Sequence, residues 1–254
     1  MSQRVLITAG ASGIGLGLAK RFAARGDRVA VCDADAGAVA QVRDEVPGII
    51  AQVADVTSEA GMDAFLGHVE AEWGGVDVVC ANAGTGGPAG NIEDLDYDAW
   101  QACVGVNLHG AFLTCRWAAR LMRAQGAGLI VLTSSTAGLF GYPLRSPYCA
   151  SKWAINGLTK TLASELGPAG VRVNAIAPGA VEGDRMDRVV AMEAKAGGRT
   201  EDEVRAQYVK GVSMRTWVNV DDLADMVLYL ASPAASKVSG QIIAVDGHTE
   251  SLMS

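Results

Sequence analysis

Seven short runs of Val, Ile, Leu and Ala, at residues 4–8, 28–33, 49–54, 76–81, 129–134, 171–177 and 241–245, recur along the 254-residue chain. Longer patterns of helical period lie between them. The runs are apolar almost throughout and lack the alternation of a half-wetted strand, so they suit strands buried on both faces. That burial requires helices on both sides of a parallel sheet. The expected fold is a single doubly wound α/β domain over residues 1–254.

Composition narrows the classes of function. Lys plus Arg number 21 against 28 Asp plus Glu, a formal charge of −7 without a basic block, so no nucleic-acid partner is expected. The longest uncharged run, 124–144, contains Gln125, Thr133, Ser134, Ser135, Thr136, four glycines and Pro143, unlike a membrane span. The chain passes from Met1 through Arg4 into Val5-Leu6-Ile7 without the apolar stretch of a signal peptide, so a cytoplasmic location is expected. Cys32, Cys80, Cys103, Cys115 and Cys149 are odd in number and widely spaced, which indicates small core residues rather than disulfides or a metal site. The thirty-one glycines have no repeating period. They call for many close backbone approaches.

One segment departs from the average: residues 182–215 hold 14 charged residues in 34, about twice the density of the chain. It reads as an insertion of two amphipathic helices between the sixth strand and the last helix. Thr200-Glu201-Asp202-Glu203 forms a capping box ahead of Val204 and Tyr208, and Met186, Val189 and Val190 form an apolar stripe. Two readings stand here, a lid over a site or a solvated excursion.

After the first strand, Thr8-Ala9-Gly10-Ala11-Ser12-Gly13-Ile14-Gly15 opens a helix. Glycines in such a turn let backbone approach a pyrophosphate, and the helix N-terminus supplies N–H donors and the positive end of its dipole. The second strand ends in Asp33, 20 residues after Gly13, where a carboxylate accepts both hydrogen bonds of an adenosine ribose and repels a 2′-phosphate. No Lys or Arg stands in 9–12 or directly after Asp33 to pair with that phosphate. The expected cofactor is NAD rather than NADP; the structural alternative for Asp33 is a helix cap or turn.

Tyr148-Cys149-Ala150-Ser151-Lys152 lies at the start of a helical pattern, and the spacing of four puts phenol and ammonium on one face. A neighbouring cation favours phenolate, as a tyrosine that exchanges protons with an alcohol requires. Five Tyr and six Lys in 254 residues predict roughly 0.1 such pairs by chance. A surface contact is the alternative.

These residues together resemble the short-chain dehydrogenase/reductase family of the single-domain type, over nearly the whole chain. The resemblance implies a Rossmann-like domain with a seven-stranded parallel sheet, and a cofactor site including Gly10, Ser12, Gly13, Ile14 and Gly15. It further implies an adenine contact at Asp55 and Val56, cofactor contacts at Asn82, Ala83 and Gly84, and a turn at Pro178 and Gly179. Gly84 and Gly179 would let backbone approach the dinucleotide. Asn107, Ser135, Tyr148 and Lys152 match the family's catalytic tetrad, with 13 residues from Ser to Tyr and 41 from Asn to Tyr.

The implied roles are general acid/base for Tyr148, a hydrogen bond to the reacting oxygen from Ser135, and a ribose contact and phenol activation from Lys152. Asn107, placed mid-helix where its propensity is poor, would anchor a proton-relaying water. No metal is expected, and His68 and His109 read as ordinary helix residues.

Three positions depart from the family pattern. Ala9 replaces the first glycine of the turn, which is tolerable if its φ is negative. Ala81 replaces an asparagine. Gly183 stands where a threonine commonly binds the nicotinamide carboxamide, so the Val181 backbone becomes the expected anchor. Substrate choice is expected from Ala137, Tyr142, Arg145, the 85–88 loop and the 182–215 insertion.

The leading expectation is an NAD-dependent enzyme interconverting a secondary alcohol and a ketone. The alternatives are an NADPH-dependent 3-oxoacyl carrier-protein reductase and a non-catalytic dinucleotide sensor. The resemblance implies a homotetramer, consistent with Trp117, Met122, Trp153 and Ile155 exceeding what one core face needs. His248 is read as a pocket, subunit or tail residue.

Overall fold

A computed structural model of the chain describes residues 2–251, without the side chains of 184, 185, 192, 193 and 195–197. Its first half runs β1 (Arg4–Thr8), α1 (Gly13–Ala24), β2 (Arg28–Asp33), α2 (Ala36–Glu45), β3 (Ile50–Val53), α3 (Glu59–Trp73) and β4 (Val78–Ala81). The chain continues through α4 (Tyr97–Val104), a π-helical turn (Gly105–His109), α5 (Gly110–Gln125), β5 (Gly128–Thr133), α6 (Ser146–Leu166) and β6 (Val171–Pro178). It ends with α7 (Asp184–Gly197), α8 (Glu201–Lys210), α9 (Val220–Leu230) and β7 (Ile242–Val245). All seven expected strands form. Their ends shift by up to two residues, because backbone pairing at the edges rather than apolar content decides where a strand stops.

The sheet order is β3-β2-β1-β4-β5-β6-β7, and every pairing is parallel. Although β1 is apolar throughout, its side chains divide by pleat: Leu6 joins one core, and Val5 and Ile7 the other. The first core packs the sheet against α3, α5 and α6, with Phe65 at its centre; the second packs it against α1, α2 and α9 around Phe22. Truncating either ring to alanine would cost about 3–5 kcal/mol. Cys32, Cys80 and Cys115 are buried in these layers, and burial pushes their thiols up to about 12. They are inert core residues.

The strand order reverses between β1 and β4, which opens a crevice at the carboxyl edge where α/β folds bind ligands. The helix N-termini are not all capped alike. α2, α3, α4, α8 and α9 are capped by the side chains of Asp35, Ser58, Asp96, Thr200 and Asn219. In α1 and α6, the caps Ser12 and Arg145 make no such bond. No described helix is long and apolar enough to cross a membrane.

The apolar content expected to face a second subunit is mostly ordinary core. Trp117, Met122 and Ile155 are buried, so those three do not mark an interface; of the four, Trp153 alone, 53% exposed, faces outward. Phe112 on α5, 49% exposed, is its unanticipated companion.

Candidate active site

The turn after β1 is built to be tight. Gly10 N donates to Cys32 O (3.0 Å), and a Cβ on Gly10 would lie 2.5 Å from Val31 Cγ1. Gly13 has φ +50° with open space around it, so it meets a conformational need rather than a steric one. Thr8 Oγ1 accepts from the backbone N–H of Asn82 and Ala83 (3.0 and 3.1 Å), while Asn82 Nδ2 donates to Thr8 O (3.1 Å). Asn82 therefore ties β4 to the β1 turn with its own side chain.

Asp33 lies beside the same turn, its Oδ2 accepting from Ala11 N at 3.3 Å and its Oδ1 from Asp35 N at 3.2 Å. The helix-capping role open to it belongs to Asp35 instead, whose Oδ1 accepts from Gly37 N and Ala38 N. Asp55 braces the turn after β3, accepting from Thr57 N and Oγ1, both at 2.8 Å. The uncapped α1 terminus, the Gly13 turn and the Asp33 carboxylate form a cradle that suits a dinucleotide.

Asn107, Ser135, Tyr148 and Lys152 converge beside it. Asn107 sits in the π-helical turn, fully buried, with Oδ1 accepting from Thr85 N (2.8 Å) and Nδ2 donating to Thr85 O (3.0 Å) and Ser151 Oγ (3.1 Å). Ser151 Oγ donates in turn to Tyr148 O at 2.8 Å. The Lys152 ammonium, equally buried, donates to Thr133 O (2.7 Å) and lies 5.7 Å from the centre of the Tyr148 ring. A buried ammonium needs such a partner.

Ser135 leaves β5 in extended conformation and its Oγ accepts from Ala137 N at 3.1 Å. The Cys149 thiol, next to Tyr148, donates to Ala137 O at 3.0 Å and so holds the Ser135 loop against α6. No group of His, Cys, Asp and Glu able to hold a metal occurs among the described residues.

This arrangement has close counterparts. A family model described as enoyl-(acyl carrier protein) reductase matches residues 8–248. The chain is 33% identical to the D-beta-hydroxybutyrate dehydrogenase of Rhizobium meliloti (strain 1021), over 97% of this chain and 98% of that one. The chain belongs to the short-chain dehydrogenase/reductase family. Among solved structures, NAD+-bound xylitol dehydrogenase superposes with a TM-score of 0.90 at 31% identity, covering 96% of this chain and 98% of that one. An actinorhodin polyketide ketoreductase with NADPH gives 0.92 at 31% identity, covering 97% and 96%.

Within this short-chain dehydrogenase/reductase, two details correct what the sequence leads one to expect. Ala9 has φ +49°, so the condition for tolerating alanine there is not met. A Cβ on Gly84 would lie 3.1 Å from Asn107 Oδ1 and 3.3 Å from Lys152 Nζ, and one on Gly179 would lie 2.9 Å from Asp246 Cβ. Within the chain those glycines clear neighbouring residues, a role that stands beside the approach to a dinucleotide implied by the resemblance.

The second detail is the helical setting of Asn107, a π turn rather than the middle of an α-helix. Gly183, at φ +137°, occupies a conformation open only to glycine, which explains why threonine is absent there. Val181 pairs with Val218 through Ala180 O and Glu182 N, so the bridge does not consume the N–H and C=O of Val181 itself.

The bracing bonds of Thr8, Thr85, Ser134 and Ser151, which lie in segments singled out by sequence, and of Asn156, which does not, had no sequence signal. Ser134 Oγ donates to Asn156 Oδ1 (2.7 Å) and Asn156 Nδ2 to Gly138 O (2.8 Å), bonds that exist only once β5 meets α6. In the 182–215 segment both helices and the Thr200–Glu203 capping box form. Val190 and Val204 are buried between them, with Met186, Tyr208 and Trp217 packed around. His248 approaches Ser213 Oγ with Nδ1 at 2.6 Å, joining the chain's last residues to the end of α8.

Proposed function

We propose that this short-chain dehydrogenase/reductase interconverts a secondary alcohol and a ketone with NAD, as one domain with the 182–215 helices forming the substrate loop. The observation that carries this reading is the buried Lys152 ammonium facing the Tyr148 ring beside Ser135 at the carboxyl edge of the sheet. Gly10, Ser12, Gly13, Ile14, Gly15, Asp33, Asp55, Val56, Asn82, Ala83, Gly84, Pro178, Gly179 and Val181 would form or shape the dinucleotide site. When bound, the nicotinamide accepts or returns the hydride.

The chain's own residues handle the proton and the oxygen. Tyr148 takes the hydroxyl proton of the alcohol, or gives one to the ketone, and the Lys152 charge stabilises the phenolate. Ser135 uses its lone pair for Ala137 N–H, which leaves the hydroxyl hydrogen for the reacting oxygen. Asn107 fixes Thr85 and, through Ser151, the first turn of α6; a water held there would carry the proton onward from Lys152.

Asp33 supports NAD. Its carboxylate is held toward the turn by Ala11 N, where a 2′-phosphate would meet a like charge. A second reading, an NADPH-dependent 3-oxoacyl carrier-protein reductase, is favoured by the likeness to a ketoreductase with NADPH. Turnover of secondary alcohols with NAD and NADP separates them. NAD should be preferred at least tenfold in kcat/KM, and Tyr148→Phe should lower kcat by about 100-fold or more. Preference for NADP, or full activity in the phenylalanine variant, would reject the corresponding assignment.

A further inference from the structure

We infer that Arg145 reads an anionic group on the substrate, so that the preferred alcohol is a hydroxy acid whose carboxylate lies within a few carbons of the carbinol. This rests on the secondary-alcohol dehydrogenase reading. Arg145 is the N-cap of α6, three residues before Tyr148, with the non-helical angles φ −127° and ψ 35°. Its backbone is fully engaged: its N–H donates to Tyr142 O (3.3 Å) and its carbonyl accepts from Cys149 N (2.9 Å). The preceding carbonyl, of Leu144, accepts from Gly90 N (3.0 Å), pinning this loop to the segment after β4. The position of the residue is fixed, and only its side chain is uncommitted.

Partial burial without a partner sets this arginine apart. Five arginines with described side chains are half-buried: Arg4, Arg21, Arg145, Arg172 and Arg205. Arg4 forks onto Asp77, Arg21 bridges Asp221 and Asp225, Arg172 donates to the carbonyls of Leu230 and Ala235, and Arg205 pairs with Asp187. Arg145 has no side-chain hydrogen bond or ion pair among the described residues. A guanidinium offers five donors, and partial loss of water around them is costly unless an acceptor replaces it.

The next residue repeats the pattern. Ser146 Oγ is the buried side-chain polar atom without a partner among the described residues. Two adjacent residues close to Tyr148 in the chain thus carry donors for which no described residue supplies an acceptor. A ligand carboxylate matches the guanidinium fork in shape, and its single charge matches one arginine. A phosphate dianion would call for a second cation.

The test compares matched pairs, 2-, 3- and 4-hydroxy acids against their methyl esters, with both NAD and NADP, in the wild type, Arg145→Met and Arg145→Lys. The wild type should favour acids over esters at least tenfold in kcat/KM. Arg145→Met should lower that acid-to-ester ratio by about 10- to 100-fold, the loss of a charge-assisted bond, with the change mainly in KM for the acid. Arg145→Lys, which keeps the charge but not the fork, should retain an intermediate ratio, and NADH binding monitored by fluorescence shows that each variant is folded. Hydroxyalkyl phosphates in the same panel separate the two anions, and a higher kcat/KM on them than on the acids would overturn the carboxylate assignment.

Esters matching or outrunning acids in the wild type, or a ratio unchanged within twofold in Arg145→Met, would overturn the inference while leaving the dehydrogenase reading intact. Absence of turnover on every alcohol with either cofactor would instead remove the dehydrogenase reading, and this inference with it.

Discussion

Ala9 holds a conformation that L-residues avoid. At φ +49° its Cβ crowds the following carbonyl, at a cost of about 1–2 kcal/mol relative to glycine. Its carbonyl accepts from Asn82 Nδ2 (3.3 Å), one of the bonds that join β4 to the cofactor turn, so the surrounding contacts hold it there. Ala9→Gly removes the strain but adds about 0.4–1 kcal/mol of unfolded-state freedom. The net expectation is a gain of up to about 1 kcal/mol, read as a thermal midpoint higher by roughly 2–4 °C. A lowered midpoint in a melting experiment would contradict the strain. The substitution was visible in sequence, but its sign was not: whether alanine is harmless depends on a dihedral angle set by β1, α1 and Asn82 together. Gly183 shows the converse. There the missing threonine is explained by φ +137°, and the Cα geometry, not a lost contact, decides the residue.

At the scale of elements, the strands and the Tyr148–Lys152 helix were legible because each follows from local pattern. Continuous apolar runs specify buried strands, and a spacing of four specifies one helical face. The π-helical turn was not legible, since it exists through tertiary bonds. Asn107 joins Thr85 N and O to Ser151 across two elements, and its helix opens by one residue per turn where those bonds form. Asn107→Ala would remove the partner of the part-buried Thr85 N–H and leave its C=O with the long contact from Cys103 Sγ (4.0 Å), at about 1–3 kcal/mol for each group. The expected outcome is a thermal midpoint lower by roughly 5–15 °C even with cofactor absent, alongside any loss of turnover. An unchanged midpoint with lost turnover would assign Asn107 to proton transfer alone and remove its bracing role. The 182–215 helices divide in the same way: their capping box and apolar stripe were readable, whereas the packing of Trp217 against Tyr208, with ring centres 5.6 Å apart, comes from outside the segment.

For the whole molecule, the sheet order is what gives the site its place, since the crevice between β1 and β4 collects the Gly13 turn, Asp33 and the carboxyl end of β5. The family resemblance implies a homotetramer, but Trp117, Met122 and Ile155 are core residues, because buried and exposed apolar groups look alike in a helical pattern. Trp117 fills the core, whereas Trp153 on α6 and Phe112 on α5 remain about half exposed. Large apolar groups left this open on two long helices fit a symmetric contact between copies of the chain. A solution mass of four chains is therefore expected by light scattering at micromolar concentration. Trp153→Asp together with Phe112→Asp places charge in that contact and should reduce the mass to dimers or single chains while the far-ultraviolet circular dichroism stays native. A wild-type mass of one chain would rule out the assembly, and an unchanged tetramer in the double variant would move the contact to another face.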